Sequence, residues 1–106
     1  NESIDGGDGN DLIYGGTARS TLRGGSGNDS VRGGTGNDLI FGDFGNDTIE
    51  AGGQNTSIDG GDGNDLIYGG TSGNSTLSGG RGNDSVRGGR GNDLIYGDLG
   101  QDNIIG

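Results

Sequence analysis

A nine-residue phrase, repeated in register almost from end to end, constrains this chain more than any other feature. Gly6 to Tyr14 reads GGDGNDLIY, and the phrase returns at Gly24 (GGSGNDSVR), Gly33 (GGTGNDLIF), Gly42 (GDFGNDTIE) and Gly60 (GGDGNDLIY). It returns again at Gly79 (GGRGNDSVR), Gly88 (GGRGNDLIY) and Gly97 (GDLGQDNII). Degenerate units keep the phase between them, at Gly15 (GGTARSTLR), Ala51 (AGGQNTSID) and Gly69 (GGTSGNSTLS, one residue longer). A partial unit, Asn1 to Asp5, opens the sequence. A short fixed period of this kind marks stacked repeats, in which each unit buries its apolar face only against its neighbours.

A longer period overlies the short one. NESIDGGDGNDLIYGGT at Asn1 recurs as NTSIDGGDGNDLIYGGT at Asn55, an offset of 54 that becomes 55 after the one-residue insertion. The expected organisation is therefore one repeat segment, 1–106, made by tandem duplication of a six-unit module (1–53 and 54–106) and cut from a longer array. No linker interrupts it.

The last three residues of each unit alternate outward, inward, outward, as a short β-strand requires. The inward column reads Ile4, Ile13, Leu22, Val31, Ile40, Ile49, Ile58, Ile67, Leu77, Val86, Ile95 and Ile104. It stays apolar even where the preceding loop has degenerated. The Gly-rich hexapeptide before each strand turns the chain tightly, through backbone conformations open to glycine. Yet only 24% of the chain is hydrophobic and 30 residues are Gly. So thin a core, in a chain that loses so much backbone freedom on folding, needs another source of stability.

Charge names the kind of partner. Sixteen acidic residues face six Arg, for a net charge of −10. This excludes nucleic acid, whose phosphates need a basic face, and suits a cation. Cys and His are both absent, which removes disulfides, thiolate sites and the commonest zinc ligand and general base. No run approaches the roughly 18 apolar residues of a membrane span, and no signal peptide is visible.

The units resemble the RTX (repeats-in-toxin) nonapeptide G-G-x-G-x-D-x-U-x, where U is a large apolar residue, a motif associated with calcium. The resemblance implies an all-β fold: a right-handed parallel β-roll (β-solenoid) with two nonapeptides per turn and about six turns. It also implies that Ca2+ sits between the loops of successive turns, shared by two sixth-position Asp residues and by loop carbonyls. Those Asp residues are Asp11, Asp29, Asp38, Asp47, Asp65, Asp84, Asp93 and Asp102. The carbonyls implied are those of Gly6, Gly7, Gly9, Gly24, Gly25, Gly27, Gly42, Gly45, Gly60, Gly61, Gly63, Gly79, Gly80, Gly82, Gly97 and Gly100. A chain that needs metal to complete its fold is expected to be disordered without it.

Sorting the units by side of the coil divides the loops unequally. Those at Gly6, Gly24, Gly42, Gly60, Gly79 and Gly97 share one edge and all match the motif, offering five inter-loop sites. On the other edge, matching loops at Gly33 and Gly88 lie between degenerate ones, where Asp gives way to Ser20, Thr56 or Ser75/Thr76. The expectation is one continuous ladder of about five ions and one interrupted edge with few or weak ones.

Several residues stay open to two readings. Asp43 and Asp98 replace the second Gly of their loops and are either outer ligands or caps bonding nearby N–H groups. Asp8 and Asp62 read as solvated charges, and Asn10, Asn28 and Asn37 as backbone-bonding side chains. Outward Leu12/Tyr14, Leu39/Phe41, Leu66/Tyr68 and Leu94/Tyr96 are either scattered surface residues or a lateral contact. Arg23, Arg32, Arg81, Arg87 and Arg90 read as solvated or ion-paired charges. Sequons at Asn1, Asn28, Asn46, Asn55, Asn74 and Asn83 follow mostly from the repeat itself.

The resemblance implies a calcium-binding structural module of a secreted or cell-surface bacterial protein, exported unfolded by type I secretion and folding outside. The alternative is a self-associating filament or surface-layer component of stacked rolls, in contact with other copies or flanking domains. An enzyme is not expected, because every carboxylate pair falls in the metal register and His, Cys and Lys are all absent.

Overall fold

Alternation within each unit produces twelve strands of three or four residues. They are β1 Glu2–Asp5, β2 Leu12–Tyr14, β3 Ser20–Arg23, β4 Ser30–Arg32, β5 Leu39–Phe41, β6 Thr48–Glu50, β7 Ser57–Asp59, β8 Leu66–Tyr68, β9 Thr76–Ser78, β10 Ser85–Arg87, β11 Leu94–Tyr96 and β12 Asn103–Ile105. The computed structural model describes residues 2–53, 55–70 and 73–106. The sequon at Asn1 and the stretch Thr71–Ser72 of the lengthened unit lie outside the described residues. No helix occurs among the described residues.

Successive strands fall alternately into two six-stranded parallel sheets. The first runs β1-β3-β5-β7-β9-β11 and the second β2-β4-β6-β8-β10-β12. Two units therefore make one turn, and the chain is an all-β solenoid of about six turns, as the sequence predicts. Pairing is rung on rung: Ile4, Leu22, Ile40, Ile58, Leu77 and Ile95 line up in one sheet. Ile13, Val31, Ile49, Ile67, Val86 and Ile104 line up in the other. The lengthened unit does not break this register. Partners lie 18 residues apart before it and after it, and 19 apart across it, as in Ser57 with Thr76.

The two columns meet between the sheets and form the core, in a slab whose thinnest dimension is 13 Å. Leu22, Ile40, Ile49, Ile67, Leu77 and Val86 are wholly buried. The column is not uniform, however. Ile4 and Ile95 are only partly buried and Ile104 is 44% exposed, because no further turn stacks on the end strands.

A third line of backbone pairing runs along one edge. Third-position residues Asp8, Ser26, Phe44, Asp62, Arg81 and Leu99 form consecutive parallel bridges between loops. The flanking glycines adopt left-handed backbone, φ 91° at Gly25 and 116° at Gly27. That conformation folds a six-residue turn back onto the sheet at little steric cost.

If the central column is what holds the sheets together, Ile49→Ala should lower stability by about 2–5 kcal/mol. Ile104→Ala should cost well under half as much. Urea unfolding in excess calcium measures both, and equal losses would contradict a core centred on the middle turns.

Candidate metal centre

The sixth-position Asp residues stand in a file along the continuous edge, one per turn. Every one after Asp11 uses a single oxygen to tie two turns together. The backbone N–H of Asp11, Asp29, Asp47, Asp65 and Asp84 donates to Oδ1 of the equivalent Asp in the next turn, at 2.8 or 2.9 Å. The other oxygen is left over. Oδ2 of Asp11, Asp29, Asp47, Asp65 and Asp84 is buried and has no hydrogen-bond partner. A carboxylate oxygen removed from water without a partner is costly, so this row calls for protons or cations.

Glycine at the first loop position makes room for that oxygen. A Cβ on Gly24 would stand 2.6 Å from Asp29 Oδ2 and 2.8 Å from the carbonyl oxygen of Gly42 in the next turn. The same two kinds of oxygen crowd Gly6, Gly42 and Gly60. Carboxylate and carbonyl oxygens from adjacent turns thus converge at Gly6, Gly24, Gly42 and Gly60, and at Gly33 on the other edge. Ala51 is the one first-position residue with a Cβ, and its unit has Thr56 in place of Asp.

The donor set is rich in oxygen and poor in side chains. Among the described residues, no three acidic, His or Cys side chains converge. Any ion here would rest on one carboxylate oxygen per loop and on backbone carbonyls, a hard set suited to calcium's six to eight oxygens. The carbonyls expected from the sequence are not equivalent. Those of Gly7, Gly25 and Gly61 already accept an N–H from the next turn. Among the described residues, no backbone N–H donates to those of Gly6, Gly24, Gly9 or Gly27.

The interrupted edge solves the same problem differently. Asp38 and Asp93 accept the N–H of Ser20 and Ser75 at 2.9 Å, and Asp38 Oδ2 is again buried without a partner. Where Ser replaces Asp, the hydroxyl donates to the loop instead. Ser20 Oγ reaches the carbonyls of Gly15 and Ala18 at 3.2 Å, and Ser75 Oγ reaches Gly69 at 3.2 Å. These loops close on themselves with no charge inside. Sequence reasoning saw only that Asp was missing; the available signal was a donor hydroxyl at a buried acceptor position. The structure also resolves the Ser75/Thr76 alternative, since Ser75 is buried at the sixth position and Thr76 begins β9.

Other expected residues fall into place around the file. The N–H groups of Asn28, Asn46, Asn64, Asn83 and Gln101 donate to Asn Oδ1 one turn back, at 2.8 or 2.9 Å. Position five therefore bonds backbone, as read for Asn10 and Asn28. Asp8 and Asp62 are exposed. Asp43 and Asp98 hold the left-handed conformation of the glycines they replace, φ 70° and 67°. Their carboxylates face outward, Asp43 pairing with Arg23 at 3.7 Å and Asp98 accepting from Ser78 Oγ.

Burial shifts the central carboxyls. It pushes Asp65 up to about 8, with the Asp47 N–H opposing and the charges of Asp47, Asp84 and Asp59 adding. Asp47 rises to about 7 for the same reason, with Asp29 and Asp43 adding. Asp29 and Asp84 rise too, mainly by burial. Asp38 rises through burial alone, with no neighbouring charge contributing.

A family profile of the RTX calcium-binding nonapeptide repeat, in four copies, matches residues 1–18, 14–49, 23–58, 42–71 and 70–104. No curated protein and no solved structure matches the chain.

Raised carboxyls make the metal-free fold sensitive to pH. Between the ordinary value of 3.8 and the raised values near 7 and 8, the folded chain binds more protons than the unfolded one. Its stability in chelator should therefore rise as pH falls through that window. Calcium, which needs the ionised form, should bind more weakly over the same range. Circular dichroism against pH, with and without chelator, checks both signs; a metal-free chain whose order does not increase on acidification would refute the buried-carboxylate account.

Proposed function

Since the chain belongs to the RTX calcium-binding nonapeptide repeat family, we propose that it is a calcium-responsive module that travels unfolded and orders where calcium is abundant. RTX repeats are structural calcium-binding units, and the chain's chemistry suits that role. The observation that carries the reading is the row of buried, partnerless Oδ2 atoms at Asp11, Asp29, Asp47, Asp65 and Asp84. Calcium, when bound, supplies the positive charge that this row lacks.

The chain's own residues do the rest. Oδ1 of Asp29, Asp47, Asp65, Asp84 and Asp102 fixes the spacing of two turns through an N–H, which leaves Oδ2 facing the first-position glycine. Five inter-loop positions follow, formed by Asp11 with Asp29, Asp29 with Asp47, Asp47 with Asp65, Asp65 with Asp84, and Asp84 with Asp102. On the interrupted edge the Ser20 and Ser75 loops need no ion, so Asp38 and Asp93 are left as isolated, weaker positions. Folding is then graded by calcium. A chain of net charge −10 stays extended by self-repulsion where calcium is scarce and compacts at about millimolar levels outside the cell. Extracellular or cell-surface placement after export follows from that sensitivity.

Calcium titration followed by circular dichroism and calorimetry tests the proposal. Strand content should appear with calcium, with about five ions taken up. Asp65→Asn keeps an acceptor at Oδ1 but puts an N–H donor where the orphan oxygen lay, so it should order more readily in chelator and bind fewer ions. The combined change Ser20→Asp, Thr56→Asp, Ser75→Asp should raise the number of ions bound. A chain equally ordered in chelator and in calcium would overturn the reading.

A further inference from the structure

A trough runs along the outer side of the second sheet, where its strands enter the loops of the interrupted edge. Two cavities of about 310 and 330 Å3 lie end to end in it and share Glu50. Each is the size of a small-ligand site. One wall is built from the last residues of β2, β4, β6, β8 and β10, namely Tyr14, Arg32, Glu50, Tyr68 and Arg87, on consecutive rungs. The floor is backbone, at the second-position glycines Gly16, Gly34, Gly52, Gly70 and Gly89.

The matching place on the continuous edge shows what is unusual here. There Asp5 and Asp59, the last residues of β1 and β7, accept the N–H of Gly7 and Gly61 at 3.1 Å. Asp43 pairs with Arg23, and Asp98 with Ser78, so side chains bond across that side. Along the trough, wall and floor stay apart. Among the described residues, no acceptor of the chain meets the N–H groups of Gly16, Gly34 or Gly89.

The wall carries Arg87 and an Arg32–Glu50 ion pair at 3.6 Å, whose guanidinium also lies 6.0 Å from the centre of the Tyr14 ring. It also carries two tyrosines, Tyr14 and Tyr68, three rungs apart, roughly 14 Å. The exposed pair keeps donor and acceptor capacity toward a ligand. A polyanion is disfavoured by Glu50 and by the net charge of −10, and a polycation by the two guanidiniums. An extended peptide advances about 3.3 Å per residue, out of step with rungs about 4.8 Å apart. Linked six-membered sugar rings advance by nearly one rung each. Their hydroxyls both donate and accept, and their C–H faces pack on aromatic rings.

We infer that this trough binds a neutral, linear oligosaccharide lying along the roll axis, about one ring per turn. The site needs only the folded roll, whatever the number of ions bound. Calorimetry on the full chain in saturating calcium tests it, with folding verified by circular dichroism in the same sample. The probes are neutral hexasaccharides of β-linked glucose, β-linked mannose and α-linked glucose, with a hexauronate and an extended hexapeptide as comparisons. At least one neutral hexasaccharide should bind, more tightly than either comparison. Tyr14→Ala and Tyr68→Ala should each weaken binding about fivefold, and Arg87→Ala should weaken it too. Phe44→Ala, on the far edge and 60% exposed, should leave it unchanged. Absence of binding by all three neutral probes, preference for the uronate or the peptide, or equal losses in Phe44→Ala would overturn the inference.

Discussion

The structure turns on a row of unsatisfied carboxylate oxygens, Oδ2 of Asp11, Asp29, Asp47, Asp65 and Asp84, each buried opposite a glycine. In Asp29, Asp47, Asp65 and Asp84 the partner oxygen of the same carboxylate is fully used, holding the N–H of the neighbouring turn. The side chain that fixes turn spacing is thus the side chain that creates an uncompensated charge. Stacking such groups at strand spacing sets like charges near one another in a site shielded from water, where their repulsion is least screened. Compensation by a cation shared between turns relieves every pair at once. Along the axis the turns are already held by strand pairing in both sheets, and the edge hydrogen bonds add to it.

The two edges answer that constraint in different chemical languages. On the continuous edge the Oδ2 atoms of Asp11, Asp29, Asp47, Asp65 and Asp84 lie buried with no hydrogen-bond partner. At Ser20 and Ser75 a hydroxyl donates to the loop carbonyls directly, so the loop is neutral and closed. Ala51, the one first-position residue with a Cβ, is buried in a unit that carries Thr56 in place of Asp. The continuous edge gains a further backbone line at its third positions, which runs unbroken from Asp8 to Leu99. The unbroken Asp file and the regular third-position pairing thus share one edge.

Much of this was legible because the repeat converts sequence position into spatial position. Nine residues per half-turn places Ile49 above Val31 and below Ile67, and Asp47 between Asp29 and Asp65, without further information. Family resemblance then supplied the chemistry of the Asp file. The period could not distinguish Oδ1 from Oδ2, which is a matter of rotamer and turn spacing. Nor could it foresee that Asp43 and Asp98 would turn outward to Arg23 and Ser78, partners roughly two units away in sequence. The trough was hidden for a related reason: the sequence marks Tyr14, Tyr68, Arg32 and Arg87 as outward residues but does not join them, with Glu50, into one surface. Only rung-on-rung pairing makes them one wall.

That wall is tied to the metal file by the shortest possible path. Tyr14, Arg32, Glu50, Tyr68 and Arg87 each lie three residues after Asp11, Asp29, Asp47, Asp65 and Asp84, at the far end of a single strand. Under the proposed reading, calcium that ordered a loop would also order the strand that follows, and with it one element of the wall. The residues that line the trough would then be positioned only as far along the roll as the Asp file is ordered. Since coupling between two sites is reciprocal, a ligand held across several rungs would favour the same stacked turns that the buried carboxylates need. The Asp file and the trough lie on opposite edges of the roll, yet each of the five strands β2, β4, β6, β8 and β10 joins a residue of one to a residue of the other.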